Sequence, residues 1–181
     1  LDPQGNASTG LGLSPRSRVS TSYDLLTGAR DLAEVVIESS VPGLFVAPGA
    51  LDLSGFDVEM IDEVDRAQRL ALALEKGDAQ TLYDYVLIDC PPALNLLTVN
   101  ALAAADSVMV PLQCEFFALE GLSQLLSTIE RVKAGLNKRL TVHGVVLTMY
   151  DRRNNLSHQV AEDVRETLGG LTEADCLATA A

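Results

Sequence analysis

The stretch Tyr83-Asp84-Tyr85-Val86-Leu87-Ile88-Asp89-Cys90-Pro91-Pro92 constrains what this chain can fold into more than any other. Tyr85 to Ile88 is an apolar run, mostly β-branched or aromatic, which suits a strand buried on both faces. It ends in a carboxylate and then in two prolines, which cannot continue a ladder. Strands buried on both faces belong to α/β sheets, and in open sheets of that class ligands sit outside the carboxyl ends of the strands. Asp89 is therefore expected at the ligand edge, where a hard carboxylate oxygen suits Mg²⁺ held partly through water. An Asp that merely opens a turn is the alternative, and this stretch alone does not choose between them.

The flanking pattern alternates strand and helix. Upstream, Leu1 to Gly12 is a turn-rich polar loop in which Asn6, Ser8 and Thr9 offer hydrogen-bonding groups and Asp2 a carboxylate. It does not match the phosphate-cradling pattern G-x-x-x-x-G-K-[ST], and no lysine lies near it. Ser14 to Ser22 reads as a solvated linker. Tyr23 to Leu26 begins a short helix stopped by Gly28, and Asp31 to Glu38 is ambiguous between helix and strand. Val41-Pro42-Gly43 is a turn before a short buried strand, Leu44 to Ala47. From Phe56 to Lys76 apolar residues recur at three- and four-residue steps, with acidic residues early, basic ones late and Gly77 after, which predicts one helix. Downstream, helices are expected over 96–105, 116–134 and 156–168, and buried strands over 107–112 and 140–150. The expected fold is α/β, a mostly parallel sheet with right-handed crossovers and helices on both faces, in one domain.

Composition sets limits. Hydrophobic residues make up 48% of the 181 residues, enough to build a real core. No apolar run is long enough to span a bilayer, and no signal peptide is visible. Cys90, Cys114 and Cys176 are odd in number and far apart, so neither a disulfide framework nor a zinc spacing is visible and a reducing cytoplasm is expected. Cys90 and Cys114 read as small core residues. The net charge of −12 argues against a surface wrapped all over by nucleic acid. Yet between Arg131 and Arg165 stand seven basic and three acidic residues, a local +4 on a chain that is otherwise −16. That is either a local nucleic-acid footprint or a set of ordinary solvated faces.

Several stretches together resemble the ParA family of partition ATPases, which carry a deviant Walker A motif. They are Leu1-Asp2-Pro3-Gln4-Gly5-Asn6-Ala7-Ser8-Thr9-Gly10, Tyr85 to Pro92, Leu96 to Leu102, Pro111 to Gly121, and Leu147-Thr148-Met149-Tyr150-Asp151. The likeness runs from Leu1 to about Leu168. It implies a P-loop NTPase fold working with ATP and Mg²⁺. Asp2 matches the switch I carboxylate that orients the attacking water, and Asp89 the Walker B carboxylate that holds Mg²⁺ through a coordinated water. Pro3, Gln4, Gly5 and Asn6, with Pro91 and Pro92 of switch II, are implied around the nucleotide. Such roles suit phosphoryl transfer, which needs neutralised oxygens and an in-line water more than a covalent nucleophile.

The resemblance also implies ATP-driven homodimerisation, non-specific DNA binding, a ParB-type partner that stimulates hydrolysis, and a cytoplasmic, nucleoid-associated protein with no membrane contact. Lys138, Arg139, Arg152 and Arg153 are the residues expected to meet DNA phosphates. The family's phosphate loop and the strand feeding it lie upstream of switch I and have no counterpart here, and 171–181 does not resemble the family's continuation. The chain is thus expected to be a fragment, a partial ATPase domain over 1–170 followed by a non-matching tail. By itself it is expected neither to bind nor to hydrolyse ATP appreciably and to fold poorly, since an absent central strand exposes two sheet edges. The alternatives are a MinD-like positioning ATPase at the membrane and an inactive remnant.

Overall fold

The computed structural model describes residues 1–115, 117–168 and 178–179. They fall into two compact units, Leu1–Ala105 and Asp106–Ala181. The expected boundary at residue 170 lies outside the described residues.

The first unit is mostly short helices. After α1 (Asn6–Gly10), the stretch expected to be a solvated linker is instead ordered. Pro15–Ser17 forms a 3₁₀ turn, and Ser20, Thr21 and Ser22 are buried. Thr21 caps α2 (Ser22–Thr27) through a capping box with Asp24, and Gly28 ends it at φ 76°, a left-handed position that glycine takes without strain. The ambiguous segment is both things in turn: α3 (Leu32–Val35), then β1 (Ile37–Glu38). β1 pairs antiparallel with β2 (Phe45–Val46) across the expected turn. Phe45 is exposed, so β2 is an edge ribbon and not the buried strand expected.

The long helix expected over 56–76 is broken into α4 (Phe56–Glu59) and α5 (Arg69–Lys76), joined by turns. Asp57, Glu59, Asp62, Glu63 and Asp65 crowd the junction, and like charges three and four apart oppose a continuous helix. Arg69 folds back on that cluster, 2.6 Å from Glu63 and 3.0 Å from Asp65. Val58, Ile61 and Val64, placed on the buried face by periodicity, are exposed. After α6 (Ala79–Leu82) comes α7 (Leu96–Ala104), whose first turn is capped by the Asn95 side chain accepting from the Thr98 N–H. Leu26, Val35, Leu53, Phe56 and Leu97 form the centre of this unit's core, each contributing about 1.5–3 kcal/mol by leaving water.

The largest correction concerns the defining stretch. Tyr85 to Ile88 has no regular secondary structure, with Tyr85 88% and Leu87 92% exposed. A strand exists only as a bonded ladder, and no strand among the described residues pairs with this segment. Only its ends are anchored. The Tyr83 ring packs 5.7 Å from Phe45, and Ile88 packs against the core.

The second unit is the parallel α/β part. β3 (Ser107–Gln113) and β4 (Thr141–Thr148) run parallel from Ser107 opposite Thr141 to Gln113 opposite Thr148, and β5 (Ala178–Thr179) pairs parallel with β4 on its other side. His143 is the extra residue at the register shift after Val108. Parallel neighbours need a crossover, supplied by α8 (Ala118–Gly135) between β3 and β4. α9 (Asn155–Leu168) follows β4. Leu122, Val145, Leu147, Val160 and Val164 make the core. β3 is half-buried at best, with Val110 its one fully buried residue, because no strand among the described residues covers its far edge. Of the tail, Ala178–Thr179 alone is described, as β5; Cys176 lies outside the described residues.

Candidate functional site

The opening loop is built on the Asp2 carboxylate. The Gly5 N–H donates to the Asp2 carbonyl at 2.9 Å, closing a turn over Pro3 and Gln4. The Gln4 N–H donates to Asp2 Oδ1 at 3.0 Å and Asn6 Nδ2 to Oδ2 at 3.1 Å. Asp2 therefore organises its own turn, as Asp commonly does at such positions. The turn closes because Gly5 stands at φ 63°, and a Cβ there would lie 2.1 Å from Arg18 Nη1 and 2.6 Å from the Gly49 carbonyl.

The loop is pinned to Pro48-Gly49. The buried Ser8 hydroxyl accepts the Gly49 N–H at 3.1 Å, and Gly49 sits so close to the Asp2 carbonyl that an added Cβ would meet it at 2.6 Å. Arg18 completes the clamp. Its Nη1 donates to the Gly49 carbonyl at 2.9 Å, its Nη2 to Gly5, Thr9 Oγ1 and Leu13, and its Nε to Leu13. Sequence reading missed Arg18 and Gly49, and named Ser8 only as a hydrogen-bonding group of the loop. Arg18 lies in a Ser-rich stretch, and its partners are 13 residues upstream and 31 downstream, spacings that leave no periodic signal.

Asp89 is brought to this loop through the main chain: the Leu1 nitrogen donates to the Asp89 carbonyl at 2.8 Å, one residue before Asp2. The Asp89 side chain is exposed and has no hydrogen bond or ion pair among the described residues. Pro91 and Pro92 lie in the bend that leads from Asp89 to α7, whose far end is fixed by Thr98 Oγ1 donating to the Ala93 carbonyl at 2.6 Å. Cys90 is half-buried, and burial pushes its thiol pKa up, so it stays protonated and unreactive at neutral pH. Cys114 is buried in the other unit.

No group of three or more His, Cys, Asp or Glu side chains among the described residues could cage a metal. Mg²⁺ keeps several waters and takes ligands from substrate phosphates, so it needs only one or two protein carboxylates. Asp89 is the residue that would hold it.

The structure splits the four basic residues into two pairs. Lys138 and Arg139 precede β4, whereas Arg152 and Arg153 follow it, and eight strand residues separate the pairs by about 26 Å. Arg153 is forked onto Asp151, with Nε and Nη2 each 3.1 Å from a carboxylate oxygen. That guanidinium holds the Asp151 carboxyl below the usual range. Lys138, Arg139 and Arg152 are exposed and without an ion-pair partner among the described residues. His158 Nε2 lies 2.8 Å from the Arg152 carbonyl and Nδ1 3.0 Å from the Tyr150 hydroxyl. The carbonyl can only accept, so the His158 Nε2–H donates to it.

The family described as AAA domain matches residues 1–142. The chain belongs to this AAA-domain family. It is 58% identical over 168 residues to the chromosome partitioning protein ParA of Caulobacter vibrioides, covering 93% of this chain and 63% of that protein. It is 46% identical to the sporulation initiation inhibitor protein Soj of Bacillus subtilis, over 92% of this chain and 65% of that one. Among solved structures, cobyrinic acid a,c-diamide synthase from Mycobacterium smegmatis with bound ADP and magnesium superposes with a TM-score of 0.85. That likeness has 34% identity over 98% of this chain and 69% of that one. The AAA-domain chain thus spans somewhat less than two thirds of the partition proteins it matches, and its α/β fold is that of P-loop NTPases. Among the described residues no helix is long and apolar enough to cross a membrane.

Proposed function

We propose that this chain is the switch-bearing part of an ATP-dependent DNA-partitioning ATPase. The observation that carries the reading is the 2.8 Å bond from the Leu1 nitrogen to the Asp89 carbonyl, which sets two segments ending in carboxylates side by side. Asp2 would orient the water that attacks the γ-phosphate, and Asp89 would hold Mg²⁺, which neutralises charge building on the phosphate oxygens. The turn made by Pro3, Gln4, Gly5 and Asn6 fixes where the Asp2 carboxylate stands, and Pro91 and Pro92 stiffen the segment after Asp89. Neither loop supplies a lysine, so the phosphate affinity of the intact protein must come from residues beyond these loops.

In the same reading the intact protein dimerises with ATP, binds DNA non-specifically through exposed Lys138, Arg139 and Arg152, meets a ParB-type partner, and resides on the nucleoid. Identities of 46–58% to proteins named for partitioning and Soj function support it over the diamide synthase named at 34%. The test is steady-state ATPase activity of the full-length gene product, alone and with DNA. Asp2→Ala is expected to abolish turnover while leaving ATP binding, and Asp89→Asn to weaken Mg²⁺-dependent binding. Full activity in both variants, or conversion of cobyrinic acid to its a,c-diamide, would refute the proposal.

A further inference from the structure

We propose that Arg18 is a positioning residue for Asp2, holding the opening loop in the geometry from which that carboxylate acts. The inference rests on the reading of Asp2 given above and adds the residue that governs it.

Arg18 makes no ion pair among the described residues. Its guanidinium is committed to the carbonyls of Gly5, Leu13 and Gly49 and to the Thr9 hydroxyl, at 2.7–3.2 Å. Three of these acceptors belong to the loop that carries Asp2, and Gly49 belongs to the segment against which the loop is packed. One planar cation therefore ties both ends of α1 to a support outside the loop. The contact at Gly5 matters most, because Gly5 closes the Asp2 turn and donates to the Asp2 carbonyl. Any slackening there swings the carboxylate directly. A solvent-facing arginine with only a packing role would leave most of its N–H groups to water, whereas Nε, Nη1 and Nη2 of this one all have protein acceptors.

A lysine keeps the charge and much of the length but offers one nitrogen, which cannot reach all the acceptors arrayed around the edge of the guanidinium. Arg18→Lys in the full-length protein is therefore the diagnostic variant. It is expected to lower kcat for ATP about 10- to 100-fold, the usual penalty for misplacing a reacting group by about 1 Å. The KM for ATP should stay within about threefold of wild type, because Arg18 bonds the Gly5 carbonyl and occupies none of the N–H groups of the loop that could meet a ligand. Thr9→Val, which removes one acceptor with little change in shape, should give the same pattern at smaller amplitude and serves if Arg18→Lys does not fold. Unchanged kcat in the folded variants overturns the inference. So does a kcat loss that only follows the unfolded fraction measured by circular dichroism, which would make Arg18 a structural residue. Asp2→Ala separates the two claims: if it leaves turnover intact, the reading of Asp2 fails; if it abolishes turnover while Arg18→Lys is normal, only the role of Arg18 fails.

Discussion

Replacing Gly5 by alanine tests the geometry of the opening loop more sharply than any change of charge. Two separate penalties apply. Gly5 stands at φ 63°, where an L-residue costs about 1–2 kcal/mol. The new Cβ would also lie 2.1 Å from Arg18 Nη1 and 2.6 Å from the Gly49 carbonyl. The carbonyl is backbone and cannot yield alone, so the guanidinium must give up at least its bonds to Gly49 and Gly5, at about 1–1.5 kcal/mol each. The sum is about 3–5 kcal/mol against the closed loop. Two other glycines provide the controls. Gly12 has φ 84° with open space around it, so Gly12→Ala should show the conformational penalty alone, about 1–2 kcal/mol. Gly10, at the end of α1, has neither clash nor positive φ, and Gly10→Ala should be neutral or stabilise by up to about 1 kcal/mol. Urea titration of the three variants, with hydrogen exchange of the Gln4 and Gly5 amides, measures the series. If Gly5→Ala proves no worse than Gly12→Ala, the clamp around Gly5 does not exist and the argument built on it is wrong.

Other expectations follow from single contacts. Asn100 is fully buried, accepts the Leu70 N–H at 3.2 Å and donates to the Arg66 and Leu96 carbonyls at 2.7 and 3.0 Å; Asn100→Leu should cost about 2–4 kcal/mol by orphaning those groups, read by chemical denaturation. The Asp151 carboxyl, held low by Arg153, keeps the fork intact above the ordinary carboxylate pKa and releases Arg153 only as pH falls through the depressed value. Asp151→Asn should therefore tighten DNA binding at neutral pH and steepen its salt dependence by about one unit, and an unchanged slope would mean Arg153 does not meet phosphate. In the 181-residue chain, Leu87→Ser should shift stability by less than about 0.5 kcal/mol because the side chain is exposed; a large loss would mean the segment is paired and buried after all.

What could be read from the sequence depended on whether the determining forces were local. The stop at Gly28, the turn before Phe45, and the alternation β3–α8–β4–α9 follow from propensity, punctuation and apolar period, and all appear. The breaks come where a partner decides. Tyr85 to Ile88 has the composition of a central strand, but composition cannot supply the neighbouring ladder. The 56–76 helix has the right period, but five acidic residues and the absence of a surface for Val58, Ile61 and Val64 outweigh it. At the proposed site, Asp89 drew notice as the carboxylate after an apolar run, and Asp2 through the resemblance of its loop. Arg18 gave no sign, because a guanidinium that bonds carbonyls far along the chain depends on the fold and on no motif. The four basic residues are close in number but divided by β4, which charge counting along the sequence could not resolve.

The central claim is that the Asp2 turn and the Asp89 segment face one metal–triphosphate. Substituting Fe²⁺ for Mg²⁺ with a slowly hydrolysed ATP analogue in the full-length protein, then starting radical chemistry with ascorbate and peroxide, cuts the backbone near the bound metal. The account predicts nucleotide-dependent cleavage at both segments, around residues 2–5 and 88–91, with both cuts lost in Asp89→Asn. Cleavage at one segment without the other, or at neither, would contradict it.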